Sequence, residues 1–238
     1  MEIDSERQPT AEFLPIIWAK RSPTKRKKLW IRKNETTNRR PLEIIFVDVG
    51  QGDGAVLITP ERGDEERIVV IDAGESDHMC RFLNGRFRAY RGFNFHAAVI
   101  THPDSDHYFG FKKIFEDSNI GFRKVYHSGL MELPVSGKFE KLGGTIQDSA
   151  QGVEYVSRLW QTHDDVMQDF GPDADMGRYW FPSVVRAAVA NPKIDEFCML
   201  STRHGTIIND RCYMPDFAPD GGRGYTIEVL GPVTEIDS

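Results

Sequence analysis

Apolar and polar positions along this chain change period in a fixed order. Leu42 to Val49 (LEIIFVDV) is an apolar, β-rich run closed by Gly50-Gln51-Gly52-Asp53-Gly54, whose three glycines mark a turn. Ala55 to Thr59 predicts a second strand, Pro60 to Glu66 a hairpin turn, and Arg67 to Ala73 (RIVVIDA) a third strand ended by Gly74. Connections this tight predict an antiparallel meander rather than crossover units. From Asp77 to Tyr90 the apolar residues Met79, Phe82, Leu83, Phe87 and Tyr90 recur near the helical period. Phe95 to Thr101 (FHAAVIT) predicts a buried strand, Tyr108 to Glu116 a short helix, and Phe122 to His127 another strand. Beyond Ser128 the spacing of Val153, Val156, Trp160 and Met167 predicts a helix over 153–170, and a further helix is expected over 181–189. Asp216 to Gly224 is a Pro/Gly-rich loop, and Tyr225 to Leu230 (YTIEVL) predicts a strand. The body of the chain is α/β.

With 238 residues, 39% hydrophobic and 28% charged, the chain has the composition of a globular protein large enough to bury a core. No run approaches the ~18 apolar residues of a bilayer span, so no membrane partner is expected. The three cysteines (Cys80, Cys198, Cys212) are too few and too far apart for a disulfide framework or a zinc ribbon, and a reducing, cytoplasmic setting fits them.

Charge divides the chain in two. Residues 1–40 hold 11 Lys+Arg against 5 Asp+Glu, a net of +6, while the remainder is net −12. The first forty residues therefore read as a basic leader or linker, and 41–238 as the folded domain. The leader is either a solvated segment or a tether to nucleic acid or another acidic partner. With Trp18 and Trp30 as its only Trp residues, it has little to stack on bases, which favours the solvated segment.

The chemistry concentrates in His102-Pro103-Asp104-Ser105-Asp106-His107, which follows the strand FHAAVIT. Two imidazoles and two carboxylates in six positions can bind divalent metal. A loop at the C-terminal end of a strand is where α/β proteins build sites. His102 and Asp104 can share one ion, and Asp106 and His107 a second. A competing reading takes Asp104-Ser105-Asp106 as the D-x-D of a Mn²⁺-dependent glycosyltransferase, but it leaves both histidines idle.

FVDVGQGDG, then VVIDAG, then VITHPDSDHYFG, in that order and spacing, resemble the metallo-β-lactamase superfamily, in particular its ComEC-like branch, over residues 42 to about 130. The resemblance implies an αββα sandwich and metal-dependent hydrolysis by a hydroxide held between two Zn²⁺ or Mn²⁺ ions. It implies a phosphodiester as substrate, DNA among the candidates, with an ester or lactone as the alternative. His102, Asp104, Asp106 and His107 correspond to the metal ligands, Asp104 standing where most members have histidine, and Asp106 also orients the attacking water. Asp72 corresponds to a carboxylate supporting the site through hydrogen bonds, with Asp48, Gln51 and Asp53 beside it; for those three, turn formation is the other explanation.

The superfamily's later ligands, a bridging Asp and a further His, have no clear counterpart. His204 in STRHGT is the best of the poor candidates, His163 reads as a helix-surface residue, and His127 ends a strand near the site. His78 and His96 occupy helix and strand positions. The sequence is therefore expected to be the N-terminal part of such a fold with a long insertion from about residue 128, its second half missing. Such a part would be a catalytically incomplete binding module on its own, prone to homo-oligomerise or to join a complementary half.

Overall fold

The computed structural model describes residues 40–61, 65–87, 94–137, 140–148, 153–172 and 180–234. The basic leader, Arg40 excepted, lies outside them. A six-stranded sheet organises the rest, in the order β1-β2-β3-β4-β5-β8. Strands β1 (Glu43–Phe46), β2 (Ala55–Ile58) and β3 (Ile68–Ile71) form the expected antiparallel meander. From β3 onward the pairing is parallel, through β4 (Asn94–Ile100), β5 (Gly121–His127) and β8 (Ile194–Met199).

The central strands are apolar on both faces, as expected where both faces are covered. Val56, Ile58, Val70, Ala98 and Ile100 belong to one core with α1 (His78–Arg86), α3 (Phe111–Glu116), α4 (His163–Phe170) and α5 (Trp180–Ala190). Each helix contributes a buried stripe, such as Phe111, Ile114 and Phe115 from α3 or Phe181, Val184, Val185 and Ala188 from α5. On the opposite face, Leu57, Val69, Ala97 and Tyr126 pack under Met214 and Phe217. The architecture is mixed α/β, one six-stranded sheet with its helices packed against it. None of the helices among the described residues is long and apolar enough to cross a membrane.

Two expected elements differ. Residues 153–156 are strand β7 (Val153–Val156), paired with β6 (Thr145–Asp148) in a separate hairpin, and helix α4 begins only at His163. Val153 and Val156 share a helical spacing by coincidence, and the hairpin partner decides their state. Thr162 then starts α4 with a full capping box, its hydroxyl accepting from Asp165 N–H and the Asp165 carboxylate accepting from Thr162 N–H. Tyr225 to Leu230 forms no strand beyond a single bridge from Glu228 to Tyr213. Its alternating Tyr225, Ile227 and Val229 serve packing against the second core. Its neighbour β10 (Arg211–Tyr213), paired with β9 (Thr206–Ile208), is too short to carry a longer ladder.

The stretch after residue 128, read above as an insertion, contains α4, α5 and β8, and β8 joins the main sheet beside β5. The C-terminal ends of β3, β4, β5 and β8 consequently lie along one edge.

Candidate metal centre

Three segments meet at that edge. Asp72 stands immediately after β3, Thr101 and the hexad immediately after β4, and the glycine-rich turn between β1 and β2 closes over them. Backbone hydrogen bonds lash them together: Asp72 N–H to Val99 O at 2.9 Å, Ala73 N–H to His107 O at 2.8 Å and Gly110 N–H to Gly74 O at 2.8 Å. Two glycines make the approach feasible. A Cβ on Gly52 would lie 1.6 Å from the Asp106 carbonyl oxygen, and one on Gly110 would lie 2.2 Å from that of Ala73. Gly52 also has φ +91°, a conformation that side chains disfavour. The second half of the hexad is helical, as α2 (Ser105–Tyr108), so that His107 points back toward β3.

Asp72 organises the site. It is 3% exposed and takes the left-handed φ of +51°. Its Oδ1 accepts the Thr101 backbone N–H at 2.9 Å, and its Oδ2 accepts the Thr101 hydroxyl at 2.7 Å. The same Oδ2 lies 3.0 Å from His107 Nδ1. Thr101 Oγ1 in turn lies 3.0 Å from His102 Nδ1.

Proton positions follow from what each group can do. A carboxylate only accepts, so His107 carries its proton on Nδ1, and Thr101 spends its single hydroxyl proton on Asp72. The remaining lone pair of Thr101 must then receive a proton from His102 Nδ1. In the neutral form of each ring this leaves Nε2 bare, the arrangement in which a carboxylate behind an imidazole can prepare it as a metal ligand.

Those bare nitrogens face carboxylates. His102 Nε2 is 3.4 Å from Asp104 Oδ2, and His107 Nε2 is 3.9 Å from Asp106 Oδ1, with the two ring centroids 3.8 Å apart. A carboxylate at such a separation is matched either by a proton on Nε2 or by a cation held between the two atoms. Two donor atoms each about 2.1 Å from one tetrahedral ion would themselves be roughly 3.4 Å apart, so the His102–Asp104 pair has that spacing as it stands and the His107–Asp106 pair is about half an ångström wider. Among the described residues, no three His, Cys, Asp or Glu side chains converge closely enough to hold one ion between them. The donor set therefore comes as pairs. His107 is largely enclosed, with 14% of its side chain exposed, whereas Asp104 is open at 68%.

The remaining candidates fall in different places. Asp48 accepts the Gly50 N–H at 3.3 Å and so supports the turn. Gln51 contributes its carbonyl to Glu75 N–H at 3.3 Å, while the Gln51 and Asp53 side chains are exposed beside the hexad. His204 has both ring nitrogens engaged, Nδ1 at 2.7 Å from Ser201 Oγ and Nε2 at 3.1 Å from Gln161 Oε1. His163 opens α4 and accepts the Phe197 N–H at 3.2 Å. His96 sits toward the opposite end of β4, 3.5 Å from Asp216. His127, at the end of β5, is fully enclosed and accepts the Gly129 N–H on Nδ1, leaving Nε2 with no partner.

Thr101 was not singled out by sequence reasoning. The available signal was a hydroxyl residue wedged between a buried strand and the first imidazole, where a side chain can reach the neighbouring strand's terminus.

The family model for the metallo-beta-lactamase superfamily matches residues 54–176, just over half of the chain, and spans Asp72, Thr101 and the whole hexad. The chain belongs to the metallo-beta-lactamase superfamily. No curated protein and no solved structure matches it. The fold of this superfamily is that of a metal-dependent hydrolase, and the Asp72 network lies inside the matched region. The match begins at Gly54, so the turn residues Asp48, Gln51 and Asp53 lie just outside it.

Proposed function

We propose that this protein is a metal-dependent hydrolase of the ComEC-like branch, acting on a phosphodiester with two Zn²⁺ or Mn²⁺ ions as cofactors. The observation carrying this reading is the pairing of imidazole Nε2 atoms with carboxylate oxygens at 3.4 and 3.9 Å, set from behind by one buried carboxylate. The glycine-rich turn pressed on Asp106, the feature through which the sequence resembles the ComEC-like branch, adds support. His102 and Asp104 would hold one ion, and Asp106 and His107 the other. Bound ions would polarise the phosphoryl group and supply a water acidic enough to attack near neutral pH.

The residues themselves do the rest. Asp72 and Thr101 hold both Nδ1 protons so that neither ring can turn its N–H toward the donors. Asp106, 34% exposed at its side chain, keeps an oxygen open to orient the attacking water and take its proton. Pro103 and Tyr108, both buried, stiffen the two ends of the loop. Three free cysteines suit a reducing, cytoplasmic setting.

A binding module that keeps the metal loop without chemistry is the second reading, favoured by the pairwise donor set. The double variant His102→Ala, Asp106→Ala removes one member of each pair. Elemental analysis of protein purified from Zn²⁺- or Mn²⁺-supplemented medium is expected to show bound metal in the wild type and a near-complete loss in the variant. Equal metal in both would overturn the assignment. Metal loss accompanied by no phosphodiesterase activity in the metal-loaded wild type would select the binding module.

A further inference from the structure

In front of the hexad the surface opens into a cleft of about 820 Å³, a size typical of sites for small organic ligands. One wall is the loop from Pro103 to Asp106. The other is built from residues outside the Asp72 network: Glu132, Leu133, Val135, Lys141 and Trp180. Trp180, the first residue of α5, is 53% exposed. Its ring leans on Phe109, with centroids 5.0 Å apart and planes 30° from parallel, and Phe109 is two residues past His107. The indole is thereby held by packing on one side while much of its surface stays open. Exposed Val135 continues the apolar surface.

The polar side of the cleft is compact. Lys141 Nζ lies 3.2 Å from Glu132 Oε1, and the Tyr108 hydroxyl reaches the other Glu132 oxygen at 3.5 Å. Lys141 is the only cation lining the cleft among the described residues. Residues 41–238 carry a net charge of −12. A duplex held along its backbone needs many lysines and arginines, and the described residues of this cleft supply one. A small aliphatic ester would leave the Trp180 face and Lys141 without a role. The wall suits a flat aromatic group carried beside the phosphate that the hexad would take.

We propose that the cleft seats the nucleoside part of a short nucleotidyl phosphodiester, its base stacked on Trp180 while the scissile phosphate lies at the hexad. The proposal rests on the phosphodiesterase reading above and adds the group next to the reacting phosphate. Base stacking on an open aromatic ring tolerates any base, and removing the ring costs roughly five- to a hundredfold in affinity.

The test uses the full chain with Mn²⁺ and two substrates, the p-nitrophenyl ester of thymidine monophosphate and methyl p-nitrophenyl phosphate. The wild type is expected to prefer the thymidine ester. That preference in kcat/KM should fall about tenfold or more in Trp180→Ala, mainly through KM, and be largely kept in Trp180→Phe. A second measurement needs no turnover: calorimetric binding of thymidine monophosphate against inorganic phosphate, expected to favour the nucleotide in the wild type and not in Trp180→Ala. Hydrolysis with a preference unmoved by Trp180→Ala, or an equal loss on both esters, overturns the subsite and leaves the hydrolase. Base-dependent binding through Trp180 without hydrolysis of either ester supports the subsite and overturns the hydrolase. Neither hydrolysis nor base-dependent binding overturns both.

Discussion

Replacing Asp72 with Asn is expected to cost the protein at least 10–100-fold in Zn²⁺ or Mn²⁺ affinity while preserving shape. Asparagine keeps the volume of the side chain and tolerates the left-handed φ of +51° that Asp72 adopts. Its carbonyl oxygen can still accept the Thr101 N–H now held at 2.9 Å. The amide nitrogen, however, puts a donor where Oδ2 receives both the Thr101 hydroxyl and His107 Nδ1. Two donors cannot share the hydrogen bond that one acceptor atom now takes. The His107 proton must then move to Nε2, the nitrogen that faces Asp106, and Thr101 no longer has to take a proton from His102. Both rings lose the enforced tautomer from one substitution.

Thr101→Val separates the two rings. It removes the relay to His102 at 3.0 Å but leaves the contact from Asp72 to His107, so one ion should weaken more than the other. Nitrogen NMR of the imidazoles at neutral pH reports the tautomers directly, and calorimetric metal titration reports the affinities. Wild-type affinity together with an unchanged His107 tautomer in Asp72→Asn would refute the network's role. A stability loss of about 0.5–1.5 kcal/mol is expected as well, the net worth of a hydrogen bond between partly exposed groups.

The second large effect is on acid stability. Burial holds His127 well below the ordinary histidine range, at about 3, helped slightly by repulsion from His204. Burial likewise lowers His96 to about 4, although nearby Asp216 opposes the shift. Both rings are therefore neutral when folded and titrate near 6.5 when unfolded. As pH falls below about 6.5 the unfolded chain takes up protons that the folded one refuses, so stability drops. It is fully present above 6.5 and is lost progressively toward 4 for His96 and toward 3 for His127.

Each ring contributes a slope of at most roughly 1–1.5 kcal/mol per pH unit. Together they can remove several kcal/mol by pH 5, a large share of a typical folding stability. The window from 7 to 5 lies above most carboxylate titrations, and a variant at His127 separates its share from that of the other six histidines. For His127 the cost has a visible origin. Gly129 N–H already occupies Nδ1, so protonation would set two donors against each other in an enclosed site. Urea midpoints measured between pH 7.5 and 5 should fall steeply in the wild type and less in His127→Gln. A midpoint that is flat over this range in the wild type would show that the two rings are not the acid-labile groups.

Much of this protein was determined by local sequence. The meander of β1 to β3, the strand before the hexad and the apolar stripes of α3 and α5 follow from periodicity, because each segment has one way to bury its apolar residues. The donor groups of the hexad were legible from residue type alone. Tertiary structure decided what depended on a partner distant in sequence. Val153 and Val156 became a strand because β6 paired with them, and Tyr225 to Leu230 failed to become one because β10 ends after three residues. Thr101 acquired its role only when parallel pairing of β3 and β4 brought Asp72 within 2.7 Å of its hydroxyl. The open face of Trp180 likewise depends on α5 packing beside the hexad. A side chain's type is local information; the direction of its proton depends on the acceptor that folding places behind it.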